Sequence, residues 1–329
     1  MIPNQWYAIL ESSEVPRDTP TGVTRMGEKL VLWRDGGGQV ICQTDKCAHR
    51  GAALSKGNIV DNSLECPFHG LRYDATGRCQ SIPASGKNTP VPERFRVHTY
   101  PARDEHGLIW LWWGEPRDEL PPLPFFNDLQ DGFTFSTLRD HWPVHYSRAI
   151  ENQLDVMHLP FVHHNTIGRG GRTLVDGPLA TLQDNKLQIW VYNRVDDGTL
   201  PRKPQEIPEP TRPAMLHFHF PNIWQNRIQD DSRIFVAFAP IDESNTMLYV
   251  RFYQRFVRVP LLNRFVNWVG RLGNLVILRQ DKRVVITQEP RKTWLKMGEY
   301  LVQGDRPIVL YRQRREELFR EAGHVQPSS

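Results

Sequence analysis

Apolar residues fall in short, strand-like runs over the first third of this chain and in mixed strand and helix spacings afterwards. Segments 29–33, 39–42 and 108–113 are rich in Val, Ile, Leu and Trp, and turn formers such as Asp35-Gly36-Gly37-Gly38 and Ala75-Thr76-Gly77 separate them. That pattern predicts a small all-β domain. Near residue 115 the organisation changes, with a proline-dotted linker over 114–124. Beyond it the spacing predicts a helix over 143–158, strands around 187–192, 215–220, 234–239 and 247–253, and helices over 261–288 and 308–322. Consecutive strands flanked by helices indicate an α+β domain with an antiparallel sheet. The expected division is therefore 1–118 and 119–329. Segment 200–213 holds five prolines and reads as an irregular surface loop. The amphipathic run 260–278 reads first as core packing.

At 329 residues, with 39% apolar and 10% aromatic content, the chain is long enough to bury two cores. Forty-one basic residues against 37 acidic ones leave a net charge of +4 with no basic tract, which argues against a nucleic-acid footprint. The opening Met1-Ile2-Pro3-Asn4-Gln5-Trp6 lacks a signal-peptide pattern and predicts a cytoplasmic location. Arg258, Arg264 and Arg271 interrupt the most apolar stretch, 256–278, so no membrane span is expected. Four cysteines in a long cytosolic chain point to metal or structural roles and away from disulfides. Cys42 and Cys79 read as buried thiols.

Cys47 and Cys66 belong to a different pattern. Cys47-x-His49 and Cys66-x2-His69 are two loops that each supply one thiolate and one imidazole, with sixteen residues between His49 and Cys66. A [2Fe-2S] cluster with two Cys on one iron and two His on the other needs this set. Gly51, Gly57 and Gly70 allow tight turns there, and Pro67 stiffens the second loop. A structural zinc is the competing reading, but a zinc finger keeps its two Cys together and its two His together. The pair closely resembles the signature of the Rieske family, and Arg50-Gly51 resembles the version found in Rieske oxygenases. Respiratory Rieske proteins carry a further cysteine in each loop, and the corresponding places here look like Ala52 and Phe68. That departure points to a soluble electron acceptor.

A second constellation concerns what the electrons do. His158 and His163 are five apart, about 140° around an ideal helix. Pro160 is expected to end the helix at Leu159 and redirect His163 toward the same metal, while Asp155 and His158 are expected to share a helix face. Two His and one carboxylate make the facial triad of non-haem Fe(II) oxygenases. His141 with His145, at helical spacing, is a rival pair, and His164 is an alternative to His163. Asn152-x2-Asp155-x2-His158-x4-His163 resembles the iron motif of the Rieske oxygenases, which also makes Asn152 a candidate site residue. The carboxylate is sought further on. Asp281 lies in a helical stripe of Ile277, Leu278, Val284 and Val285, with Arg279 and Arg283 on the opposite side. A buried carboxylate there requires a partner or a metal, and its setting resembles the family's distal-ligand helix; Asp305 is a substitute candidate.

The resemblance covers nearly the whole chain. It implies a Rieske domain followed by a helix-grip, START-like catalytic domain, working as a terminal oxygenase and as a homo-trimer. The cluster of one subunit would then serve the mononuclear iron of its neighbour, with Asp155 bridging His69 and His158 across the interface. No Gly-rich dinucleotide motif is present, so electrons from NAD(P)H are expected through a separate reductase or ferredoxin. The substrate is expected to be a small organic molecule. Hydroxylation or oxidative demethylation with O2 is favoured over cis-dihydroxylation of an arene. A pure electron carrier and a START-like ligand-binding module are the readings from other classes.

Overall fold

The computed structural model describes residues 1–129 and 132–323. The chain forms two compact units, one built mainly from residues 3–116 and the other mainly from 117–239 and 243–329.

The first unit is all β. Its strands are β1 (Gln5–Glu11), β2 (Thr21–Arg25), β3 (Glu28–Arg34), β4 (Val40–Thr44), β5 (Asn58–Val60), β6 (Ser63–Glu65), β7 (Arg72–Tyr73), β8 (Cys79–Ser81), β9 (Thr99–Tyr100), β10 (Ala102–Glu105) and β11 (Leu108–Trp113). They make three small sheets, ordered β1-β11-β10, β2-β3-β4-β9 and β5-β6-β7-β8. The runs that read as strands are the buried ones: Leu30 to Trp33 and Leu108 to Trp112 are fully inaccessible. Around them Trp33, Leu54, Leu64, Leu71 and Tyr73 make a core that also contains Cys47, Cys66 and Cys79. Cys42 and Cys79 are buried free thiols, and burial pushes the Cys42 thiol far above its ordinary range.

The second unit holds β12 (Thr134–Trp142), α1 (Tyr146–Leu154), α2 (Leu159–Val162), β13 (Leu174–Gln183), β14 (Lys186–Arg194), β15 (Leu216–His219), β16 (Ile223–Gln229), β17 (Ser232–Pro240), β18 (Thr246–Gln254), α3 (Pro260–Val285) and α4 (Arg306–Glu321). The strands form one seven-stranded sheet ordered β12-β18-β17-β16-β15-β14-β13. Antiparallel pairing is seen in β12 with β18 and from β13 through β17. The α+β expectation holds. Strands β12 and β16 carry too many charged, amide and hydroxyl residues for the apolar alternation that reveals a strand, β13 is interrupted by Gly177-Pro178 where its register shifts, and their place in the sheet supplies what the pattern lacks.

Two helical expectations are corrected. The helix expected over 143–158 is shorter, Tyr146–Leu154, because α1 stops at Leu154 and Asp155 takes up extended backbone as its C-cap. Pro160 does not end a helix; it sits in the first turn of α2, where its missing N–H is one of the groups left unpaired anyway.

The run 260–278 is not core packing. On α3 only Asn267, Leu278, Asp281 and Val285 are buried, whereas Leu261, Phe265 and Trp268 are more than half exposed. The N-terminal half of α3 instead turns its amides to the sheet edge. Asn267 Nδ2 donates to Asn263 Oδ1 at 2.6 Å, and Ser136 Oγ of β12 donates to the Asn267 carbonyl at 2.6 Å. Gly270 permits the close approach, since a Cβ there would lie 2.3 Å from the Phe252 ring. With the amides inward, the apolar residues face out.

Candidate metal centres

In the first unit two loops carry Cys47, His49, Cys66 and His69, and they are built alike. The Cys47 amide donates to Ala52 O at 2.8 Å while Gly51 N returns to Cys47 O at 2.9 Å; the Cys66 amide donates to Leu71 O at 2.8 Å while Gly70 N returns to Cys66 O at 3.1 Å. Gly51 and Gly70 close these turns at φ +72° and +70°, a region that L side chains avoid. Both cysteines are buried, at 3% and 2% exposure, whereas both histidines are exposed, with ring centroids 4.8 Å apart. Tyr73 Oη lies 3.2 Å from Cys47 Sγ and accepts from the Ala48 N–H at 3.1 Å. Among the described residues, the four ligand atoms are not drawn around one point as a single ion requires. The wider spacing suits a two-iron cluster better than one zinc.

In the second unit, His158 is the N-cap of α2 and His163 its C-cap, so one four-residue turn of helix separates them. Asp281, 2% exposed, comes from α3. Among the described residues, these three alone gather ligand atoms within 4.8 Å of one another. Asp281 Oδ1 lies 2.9 Å from His163 Nε2 and 3.5 Å from His158 Nε2. Neither contact has the alignment of a hydrogen bond, and Asp281 Oδ1 is left buried and unpartnered, as is His158 Nδ1. A buried carboxylate oxygen beside two imidazole nitrogens, bonded to neither, is a donor set that a cation completes.

Gln280 was not among the sequence candidates. Its Oε1 accepts from His163 Nδ1 at 2.8 Å and from Thr166 Oγ1 at 2.9 Å, and its Nε2 donates to Asn165 Oδ1 at 2.8 Å. The bond fixes His163 with its proton on Nδ1 and leaves the Nε2 lone pair available to a metal. Its place beside Asp281 was the available signal, but a Gln at a helix surface has no distinguishing pattern.

Asp155 acts locally as a cap. Its Oδ1 accepts from Met157 N at 2.6 Å and His158 N at 3.2 Å, and stands 3.8 Å from His158 Nδ1, beyond hydrogen-bond reach. Burial pushes its pKa up, but His158 and the two backbone N–H groups outweigh this and hold it below the usual range. It does not share a helix face with His158, because α1 ends before it. Asn152 lies on α1 with a buried, unpartnered Nδ2 and is not among the residues lining the cavity below.

The rivals stand apart. His141 is on β12 and bonds Asn245, His145 is the buried N-cap of α1, and His164 bonds the Phe161 carbonyl. Asp305 belongs to a 3-10 turn ahead of α4. None of these joins the triad.

Beside the triad is a cavity of about 210 Å³. Its walls are mostly apolar, with Val191, Ile234, Val236, Val250 and Ile277 among them.

The chain thus joins an all-β unit with a Cys-His pair on each of two loops to a sheet-and-helix unit with a His-His-Asp triad beside a mostly apolar cavity. Residues 5–101 match the Rieske [2Fe-2S] domain, and residues 142–321 match the vanillate O-demethylase oxygenase C-terminal domain. The chain belongs to the Rieske oxygenases whose catalytic domain is of this vanillate O-demethylase type. It is 29% identical over 301 residues to the chloroplast protein TIC 55 of Pisum sativum, covering 86% of this chain and 51% of that protein. The chain thus spans about half the length of the curated relatives it matches first. In fold it is similar to dicamba monooxygenase bound to dicamba, with a TM-score of 0.77, 20% identity and coverage of 98% and 99% of the two chains. It is similar also to NdmA of Pseudomonas putida CBB5 with caffeine, at TM-score 0.75, 22% identity and coverage of 99% and 97%. No helix among the described residues is long and apolar enough to cross a membrane.

Proposed function

We propose that this chain is the terminal oxygenase of a Rieske system, which hydroxylates or oxidatively demethylates a small organic substrate. The observation that carries the reading is the convergence of His158 Nε2, His163 Nε2 and Asp281 Oδ1 beside an apolar cavity, in a chain that also holds a Rieske domain. The balance is substrate C–H, O2, two electrons and two protons giving C–OH and water. For an N- or O-methyl group, the hydroxylated carbon then leaves as formaldehyde.

Cys47 and Cys66 would hold one iron of the cluster, and His49 and His69 the other. His158, His163 and Asp281 would hold Fe(II), which supplies the redox chemistry that puts oxygen from O2 into substrate. The protein's part is placement. Gln280 keeps Nε2 of His163 free for the metal, α2 holds the two histidines one helical turn apart, and the apolar walls exclude bulk water. Electrons would come from NAD(P)H through a separate reductase or ferredoxin. As in the oxygenases this chain resembles, a homo-trimer would pair the cluster of one subunit with the iron of the next, and Asp155 would bridge His69 of the first to His158 of the second. A carboxylate suits that place because it accepts imidazole N–H bonds on both sides, and His158 Nδ1 has no partner within this chain. Dicamba and caffeine, the molecules named with the similar structures, are consistent with a small organic substrate here.

Iron analysis tests the reading: three irons per chain are expected, against two for an electron carrier and none for a ligand-binding module. Product analysis under labelled O2 is expected to find one labelled oxygen in product. Two labels in a cis-diol would replace monooxygenation with dihydroxylation.

A further inference from the structure

The cavity beside the triad has a composition that the proposed reaction does not itself require. Among the described residues its lining contains no Lys or Arg, and its only carboxylates are Asp281 of the triad and Asp155, whose Oδ1 is already bonded to two backbone N–H groups. Buried cations are close by, but the strand pleat turns them away. On β17, Ile234 and Val236 line the cavity while Arg233 alternates to the other face, and on β18 Val250 lines it while Arg251 does not. Arg251 is taken up there by the Phe135 ring, 4.3 Å away, and by Tyr253 Oη at 3.0 Å.

Apart from the triad and Asp155, the polar side chains lining the cavity are uncharged, Gln153 among them. Trp224 and Asn226 lie two apart on β16, and Asn274 is on α3. Each carries a buried polar atom with no hydrogen-bond partner: Trp224 Nε1, Asn226 Oδ1 and Asn274 Nδ2. Unpaired buried polar atoms are costly, and three of them on residues that line one apolar cavity mark where a bound molecule, met by a turn of the side chain, supplies the missing partners. An amide presents a donor or an acceptor according to which way it is turned, so the set offers both.

Resting on the oxygenase reading, we propose that this cavity selects an uncharged, largely apolar substrate bearing hydrogen-bonding heteroatoms. Asn226 and Asn274 are its specificity determinants. A carboxylate or sulfonate entering the site loses its hydration and finds no Lys or Arg, and an ammonium finds Asp281 committed to the proposed iron and Asp155 to its backbone N–H groups. A neutral amide or heterocycle loses less hydration and is matched by the three unpartnered groups.

The test is equilibrium binding to the iron-loaded protein, by calorimetry, of four probes on one ring: benzamide, toluene, benzenesulfonate and benzylammonium. Benzamide is expected to bind at least about tenfold more tightly than either ion and more tightly than toluene. Asn226→Leu and Asn274→Leu are expected to remove the preference of benzamide over toluene, with retained toluene binding reporting an intact cavity. The proposal is overturned if either ion binds as tightly as benzamide. It is equally overturned if both variants keep the benzamide preference. The ion comparison needs no variant, so it decides even if a substitution prevents folding. Iron content measured on the same sample separates the two readings: three irons with an ion binding as tightly as benzamide removes the substrate class and leaves the oxygenase, and a missing third iron with the benzamide preference intact does the reverse.

Discussion

The two candidate metal centres are built on opposite plans. The cluster loops lie within the segment from Cys47 to Leu71, and each turn is closed by its own backbone bonds. The mononuclear site is assembled over distance: His163 meets Gln280 across 117 residues of sequence, and α2 and α3 touch only because the sheet brings them together. The first centre buries its thiols and exposes its imidazoles; the second buries Asp281 and His163 almost completely. The contrast fits the proposed roles, since a centre that passed electrons outward would need an exposed edge, whereas one that handled O2 would need shelter from water.

The sharpest way to break this comparison is to remove a ligand of the long-range site. His158→Ala is expected to lose the third iron and to lower product formation by at least about 100-fold, with the visible spectrum of the cluster unchanged. If the cluster spectrum is lost as well, the two centres are not independent. Gln280→Leu is the next largest change. Iron affinity at the triad should fall by about 10- to 100-fold, read by iron titration, because nothing then holds the His163 proton on Nδ1.

Acid should separate the two units. His219, buried in the second unit and donating to Pro124 O at 2.9 Å, is pushed by burial down to about 4. The unfolded chain therefore binds this proton first as pH falls from the ordinary histidine range toward 4. Stability is full above that range and is lost across this window, by up to about 3 kcal/mol. Thermal unfolding from pH 7 to 4 is expected to show the catalytic unit weakening, and His219→Phe to flatten the slope.

The smallest effect belongs to the local centre. In the loaded protein Cys47 is a thiolate, so Tyr73 Oη donates to it. Tyr73→Phe should lower the cluster potential by about 40 mV, the equivalent of one hydrogen bond, measured by spectroscopic titration. An unchanged potential would mean that the phenol does not report on the cluster.

The same contrast explains what could be read from sequence. The cluster loops were legible because ligand type, spacing and turn glycines all sit within one short segment. Asp281 stood out because a carboxylate in an apolar helical stripe is anomalous on its own, without knowing what the stripe packs against, and the structure places it beside His158 and His163. Gln280 was not found, since its role exists only once α2 lies beside α3. The break between α1 and α2 was missed because Asp155 caps through its side chain, which helical periodicity does not register. The outward-facing Leu261, Phe265 and Trp268 were misread because amphipathicity tells that a helix has two faces without telling which one is inward; here the asparagines won the sheet edge.

The separation of His163 from Gln280 and Asp281 also orders events in time. During synthesis at roughly 5–20 residues per second, the histidine pair leaves the ribosome on the order of ten seconds before the carboxylate that completes the site. The cluster loops emerge before either. A nascent chain thus carries all four Cys and His of its cluster loops while the second candidate centre is still two histidines without a counter-charge.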